Sequence, residues 1–132
     1  MNWINSVLGE RMIIISVGAV LGANARYLLS NWAAQKWGAA FPYGTFLINL
    51  SGCLLIGFFL SLTAERVPVD PRWRLFFAVG FLGAYTTFST YTYDSLMLLE
   101  RGQWLPGMIN LLGSTVLGLA AVMLGVFLGK NL

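Results

Sequence analysis

The sequence predicts an all-α integral membrane protein of four transmembrane helices, with the third helix broken at mid-membrane. Three observations lead there. The 132 residues are 58% hydrophobic and only 10% charged, with a mean hydropathy of +0.73. Soluble domains carry roughly 25% charged residues, and a domain this small has too much surface to cover with so few. Next, four apolar stretches approach the ~20 residues that a helix needs to cross hydrocarbon. Finally, one of those stretches carries hydroxyl and glycine residues at its centre, where lipid offers no hydrogen-bond partners.

The spans are residues 12–34, 43–64, 75–99 and 105–128. Short turns at 38–42, 65–74 and 100–104 separate them, marked by Gly38, Pro42, Pro68 and Pro71. No length remains for an extramembrane domain, so residues 1–132 form one transmembrane domain. Trp3, Trp32, Trp37, Trp73 and Trp104 fall near span ends, as an interfacial aromatic belt requires.

The first span contains Gly18 and Gly22, a GxxxG spacing that permits close helix packing. It lacks a small-residue cleavage site, and Asn24-Ala25-Arg26-Tyr27 interrupts its distal half, so it reads as a retained helix and not a signal peptide. Arg26 either snorkels to the headgroups or lines a vestibule that attracts anions.

In the second span Thr45 and Asn49 are four residues apart and share a face, which Gly52 and Cys53 continue. In the fourth, Asn110, Ser114 and Gly118 make a matching stripe. Such stripes either line a pore or join close-packed helices by hydrogen bonds.

The third span reads Gly80-Phe81-Leu82-Gly83-Ala84-Tyr85-Thr86-Thr87-Phe88-Ser89-Thr90-Tyr91-Thr92-Tyr93-Asp94. Ser and Thr hydroxyls bond to backbone carbonyls and bend helices, and glycine lowers the cost of leaving helical geometry. A break here frees carbonyls for a cation and amides for an anion. Phe88 and Tyr91 project from neighbouring positions on one face. They either pack or turn their electropositive ring edges toward a small anion in a narrow passage. An ion site follows from this segment.

Charge sets orientation. The side with both termini and the second turn holds Arg11, Arg66, Arg72, Arg74 and Lys130; the other holds Arg26, Lys36 and Arg101. Five against three is a weak bias under the positive-inside rule, so insertion in both orientations and an antiparallel dimer are open alongside a single orientation.

Several classes are excluded. There is no histidine and a single cysteine, Cys53, so Ser-His and Cys-His nucleophile pairs are absent and no disulfide forms within the chain. The net charge of +3 is spread over isolated residues without the basic stripe that nucleic acid demands.

Three motifs then resemble one family. Gly22-Ala23-x-x-Arg26-Tyr27, Pro42-x-Gly44-Thr45-x-x-x-Asn49 and Gly80-Phe81-Leu82-Gly83-Ala84-x-Thr86-Thr87-Phe88-Ser89-Thr90 are similar to those of the CrcB/Fluc fluoride channel family, over all four helices. The resemblance implies a dual-topology antiparallel homodimer in the bacterial inner membrane, whose two pores export toxic fluoride passively. It also implies a structural sodium ion at the dimer centre, held by the backbone carbonyls of Gly83 and Thr86. The pore pair of the family corresponds to Phe88 and Tyr91, the latter replacing a usual Phe. The pore track corresponds to Asn49, Thr45, Asn110 and Ser114, and the vestibule to Arg26 and Asp94.

Two competitors belong to other classes. A small proton-coupled multidrug exporter requires a membrane-embedded carboxylate, and Asp94 is the one candidate, late in the third span. A non-transporting assembly subunit would show a stable membrane-protein partner and no ion flux.

Overall fold

The computed structural model describes residues 2–132, with side chains placed from Ser6 onward; the side chain expected of Trp3 lies outside that set. Helix α1 (Asn2–Trp37) leads through a tight turn to α2 (Tyr43–Glu65). The third segment begins as α3 (Pro71–Arg74), widens into i→i+5 turns over Leu75–Leu82, and closes as α4 (Gly83–Tyr85). After two extended residues comes α5 (Phe88–Glu100). The last segment is α6 (Trp104–Met108), a second wide turn over Ile109–Gly113, and α7 (Ser114–Asn131). Among the described residues there is no strand.

Local chemistry explains the boundaries. Gly38 and Gly102 take φ of +78° and +74°, a left-handed conformation that glycine adopts without steric penalty and that ends a helix. Asp70 starts α3 by accepting from the Arg72 amide at 2.8 Å, with Pro71 at the first helical position, where its missing N–H is no loss.

Helix α1 differs from expectation in length. Its 36 residues rise about 54 Å, so it begins ten residues before the apolar stretch does. Hydropathy detects only the part that lipid would cover. The early turns gain an anchor in an ion pair between Glu10 and Arg72, 2.8 Å.

Three helical stretches are long and apolar enough to cross a membrane: Ser6–Trp37, Tyr43–Glu65 and Trp104–Asn131, with mean hydropathies of 1.6, 2.0 and 2.3. The expected third span is divided at residues 86–87, so neither half has that length alone. Large apolar side chains such as Leu21, Val116 and Met123 are half exposed or more, an exterior that a water-soluble monomer of this size does not carry. The chain is an all-helical, multi-pass membrane protein.

Glycines set the closest packing. Helix α7 lies on α2, where a Cβ on Gly57 would sit 2.5 Å from the Val122 carbonyl and one on Gly129 2.5 Å from that of Phe58. Helix α1 lies on residues 75–82 through Gly18 and Gly22, whose added Cβ atoms would collide with the Phe76 and Phe81 carbonyls. The GxxxG motif thus packs helices closely. A backbone carbonyl cannot move aside as a side-chain tip can. Gly22→Ala is therefore expected to destabilise the fold by about 1–3 kcal/mol, read as a lower midpoint for heat-induced loss of the folded species in detergent. Gly9→Ala is the control, since nothing lies within 4 Å of that site.

The inner core is small. Ile48, Leu82 and Tyr85 are buried together, and Phe77, Phe81 and Tyr85 stack at centroid spacings of 5.5 and 5.7 Å. The Tyr85 hydroxyl lies 2.8 Å from Ser51 Oγ, which gives its buried polar tip a partner.

Lys130 pairs with Glu65 at 3.1 Å, and Arg66 donates to the Lys130 carbonyl. With the Glu10–Arg72 pair, these contacts gather the starts of α1 and α3 and the ends of α2 and α7 at one pole. Both ion pairs are about half exposed, so each adds under ~1 kcal/mol. At the opposite pole the Lys36 ammonium sits 5.1 and 5.2 Å from the ring centroids of Trp32 and Trp37, a cation–π arrangement suited to an interface.

Candidate ion-conducting site

The site is built around the interruption at Thr86 and Thr87. Both residues are extended, with ψ of 159° and 122°. Thr86 ends the first half: its amide and its hydroxyl both donate to the Leu82 carbonyl, at 3.0 and 2.9 Å. Thr87 begins the second half: its Oγ1 accepts from the Thr90 amide at 3.3 Å, as an N-capping threonine does.

An extended residue between two helices leaves backbone groups without helical partners, and in an apolar setting each needs another. Asn49 supplies them from α2. Its Nδ2 donates to the Thr87 carbonyl at 2.9 Å, and its Oδ1 accepts from the Thr87 amide at 2.8 Å. One carboxamide thus pairs with the extended backbone as a neighbouring strand would. The double contact also fixes which end of the amide is nitrogen. A second Nδ2 hydrogen remains, with no protein partner among the described residues. Gly52, one turn on, leaves the room that the Thr86 methyl fills.

The break redistributes helical carbonyls. The Thr87 amide, which would close onto Gly83, is taken by Asn49, and the Thr90 amide, which would close onto Thr86, is taken by Thr87 Oγ1. The carbonyls of Gly83 and Thr86 therefore lose those helical donors. On the other side of the break, the first amides of α5 present the positive end of its dipole.

A cavity of about 600 Å³ opens beside this point, lined by Asn49, Gly83, Thr86, Thr87, Phe88, Tyr91, Ser114 and Thr115 among others. Asn49, Gly83, Thr86, Phe88, Tyr91 and Ser114, all candidate site residues in the sequence, thus share one space. Phe88 and Tyr91 are neighbours there, with centroids 5.7 Å apart and planes tilted by 50°. Phe88 is 77% exposed on the single chain. The Tyr91 hydroxyl donates to the Leu111 carbonyl at 2.8 Å.

The others lie elsewhere. Thr45, one turn before Asn49, lines a second cavity of about 420 Å³ with Asp94, to which its hydroxyl donates at 2.9 Å. Asn110 lines neither cavity. It is fully buried and donates to Ser95 Oγ at 2.8 Å, joining the wide turn at 109–113 to α5; Ser114 reaches its Oδ1 at 3.4 Å. Arg26 is half-buried on α1, outside both cavities.

Among the described residues no three His, Cys, Asp or Glu side chains gather into a metal-binding cluster. A resident cation would have to take backbone and hydroxyl oxygens. Gly83 and Thr86, both on the cavity wall and with carbonyls left without those helical donors, offer the oxygen type that a hard ion such as sodium takes.

The model of a family described as CrcB-like protein, Camphor Resistance (CrcB), matches residues 13–126. The chain belongs to the CrcB family. A "Fluoride-specific ion channel FluC" of Chloroflexus aurantiacus is 50% identical over 121 residues, covering 92% of this chain and 96% of the relative. Proteins of the same description from Trichormus variabilis and Koribacter versatilis are each 50% identical. They cover 89% and 83% of this chain, and 87% and 86% of their own lengths. These relatives carry the name of an ion channel, and this CrcB-family chain is not an enzyme.

Some groups at the site escaped the sequence reading. The Thr87 backbone is the partner of Asn49, yet no periodicity marks a contact across 38 positions. Thr115, which donates to the Leu111 carbonyl at 2.8 Å, follows Ser114 and drew no notice beside it. Ser95 had a visible signal, since it lies four residues after Tyr91 on α5.

Proposed function

We propose that the chain is a fluoride-selective channel that lets toxic fluoride leave the cell passively. The observation that carries this reading is the Asn49-braced break, which sets an uncommitted amide hydrogen, a helix N-terminus and two aromatic rings around one cavity. Fluoride is small and tightly hydrated, so it enters only where several donors replace water. Asn49 Nδ2, the Ser114 hydroxyl and the ring edges of Phe88 and Tyr91 provide such contacts in succession. Each is weak enough alone to release the ion, as conduction requires. Thr45 and Asp94 then form the vestibule one turn away, with Arg26 raising the local anion concentration and Asn110 supporting the fourth-helix side of the track.

The two halves of the third segment together make a fourth span, and the chain acts as an antiparallel, dual-topology homodimer in the bacterial inner membrane. The small Lys/Arg bias and the exposure of Phe88 on one chain support this. A sodium ion at the dimer centre, held by the Gly83 and Thr86 carbonyls, would supply fixed positive charge between the two paths.

The reading is tested in bacteria that lack their own fluoride exporter. Expression of the chain should restore growth in millimolar fluoride. Continued sensitivity despite folded protein in the membrane would reject it.

A further inference from the structure

Tyr91 carries a hydroxyl at the end of a ring that lines the cavity. An unsatisfied phenol in an apolar setting would be costly, and this one has an acceptor for its proton. Its proton goes to the Leu111 carbonyl at 2.8 Å, and its oxygen lies 3.2 Å from Thr115 Oγ1. Thr115 in turn donates to the same Leu111 carbonyl at 2.8 Å. Leu111 belongs to the wide turn over Ile109–Gly113, where the regular helical ladder is displaced and a carbonyl can accept side-chain donors.

We propose that the Leu111 carbonyl, with Thr115, is a positioning group for ion passage: it tethers the Tyr91 hydroxyl and so holds the ring axis against the cavity wall. The inference rests on the channel reading above. Tyr91 is thereby fixed at both ends, by its Cα on α5 and by its hydroxyl on the α6–α7 segment. The hydroxyl neither donates to the ion nor hangs loose in the path. It keeps the ring on one axis, so the ring edge meets the passing anion at a constant place. Phe88, 5.7 Å away, has no polar tip and no such restraint. The pair is thus asymmetric, one ring tethered and one free to adjust.

The test compares the wild-type chain with Y91F in reconstituted vesicles, alongside ¹⁹F NMR of chains carrying 3-fluorotyrosine or 3-fluorophenylalanine at position 91. The hydroxyl lies on the flip axis of the ring, so the tether restrains the axis and not the flip. The fluorophenylalanine line should therefore be broadened by motion of the axis while the fluorotyrosine line stays narrow. Loss of one such hydrogen bond should lower fluoride efflux about three- to tenfold in Y91F, and 4-aminophenylalanine at position 91, which restores a donor, should recover most of it. Equal linewidths for the two rings, or wild-type efflux from Y91F, overturns the positioning role alone. A wild-type chain that passes no fluoride overturns the channel reading together with the role.

Discussion

Asn49→Ala should cut fluoride efflux from reconstituted vesicles by at least about tenfold, because it strips two hydrogen bonds from the break in the third segment. Both Thr87 backbone groups depend on that carboxamide. Without it they are left unpaired or must reorganise, at about 1–3 kcal/mol each. The substitution also removes the uncommitted Nδ2 hydrogen of a residue that lines the cavity. A loss of thermal stability should therefore accompany the loss of flux. Asn49→Asp keeps the acceptor and loses the donor. A carboxylate still accepts from the Thr87 amide, but its second oxygen lies against the Thr87 carbonyl and its charge repels an anion. Efflux should fall as far as in the alanine variant, and stability should be no higher than in that variant. Electrode traces and size-exclusion profiles of both variants check this.

Phe88→Ile should lower efflux as well, but without the loss of stability. The side chain is 77% exposed on the single chain, so its replacement should change stability of the isolated fold by no more than about 0.5 kcal/mol. The ring quadrupole, however, has no aliphatic substitute. Efflux should drop at least about tenfold with the folded species unchanged on size exclusion. Wild-type efflux from this variant would remove Phe88 from the path. Taken together, the two substitutions distinguish a residue that both builds and lines the cavity from one that only lines it.

Much of the fold was legible in the sequence because lipid imposes simple rules. Apolar length located three long helices, and Gly38 marked the end of the first. The glycines and hydroxyl residues within positions 80–94 pointed to an interruption, which falls at Thr86 and Thr87, since such residues lower the cost of leaving helical geometry. What hydropathy could not convey was the extent of α1, whose early turns are polar and held by the Glu10–Arg72 pair. The glycines of α7 were equally legible in principle. Gly125 and Gly129 are four apart, as Gly18 and Gly22 are, and they seat α7 on α2.

The site was legible as residue types and less so as geometry. The shared face of Thr45 and Asn49 was correct as helical periodicity, yet the two side chains serve different cavities because Asp94 takes one and the Thr87 backbone the other. The stripe of Asn110 and Ser114 divides in the same way. Ser95 draws Asn110 inward, while Ser114 stays on the cavity wall. Periodicity reports which way a residue points and not which donor or acceptor meets it there.

The most direct measurement is fluoride release, followed with an ion-selective electrode, from vesicles loaded with both fluoride and chloride and containing the purified chain. Opening a potassium conductance should release fluoride within the trace and leave chloride trapped. Retention of fluoride by vesicles holding well-folded protein, or equal release of both halides, would contradict the proposal that this cavity passes fluoride in preference to other anions.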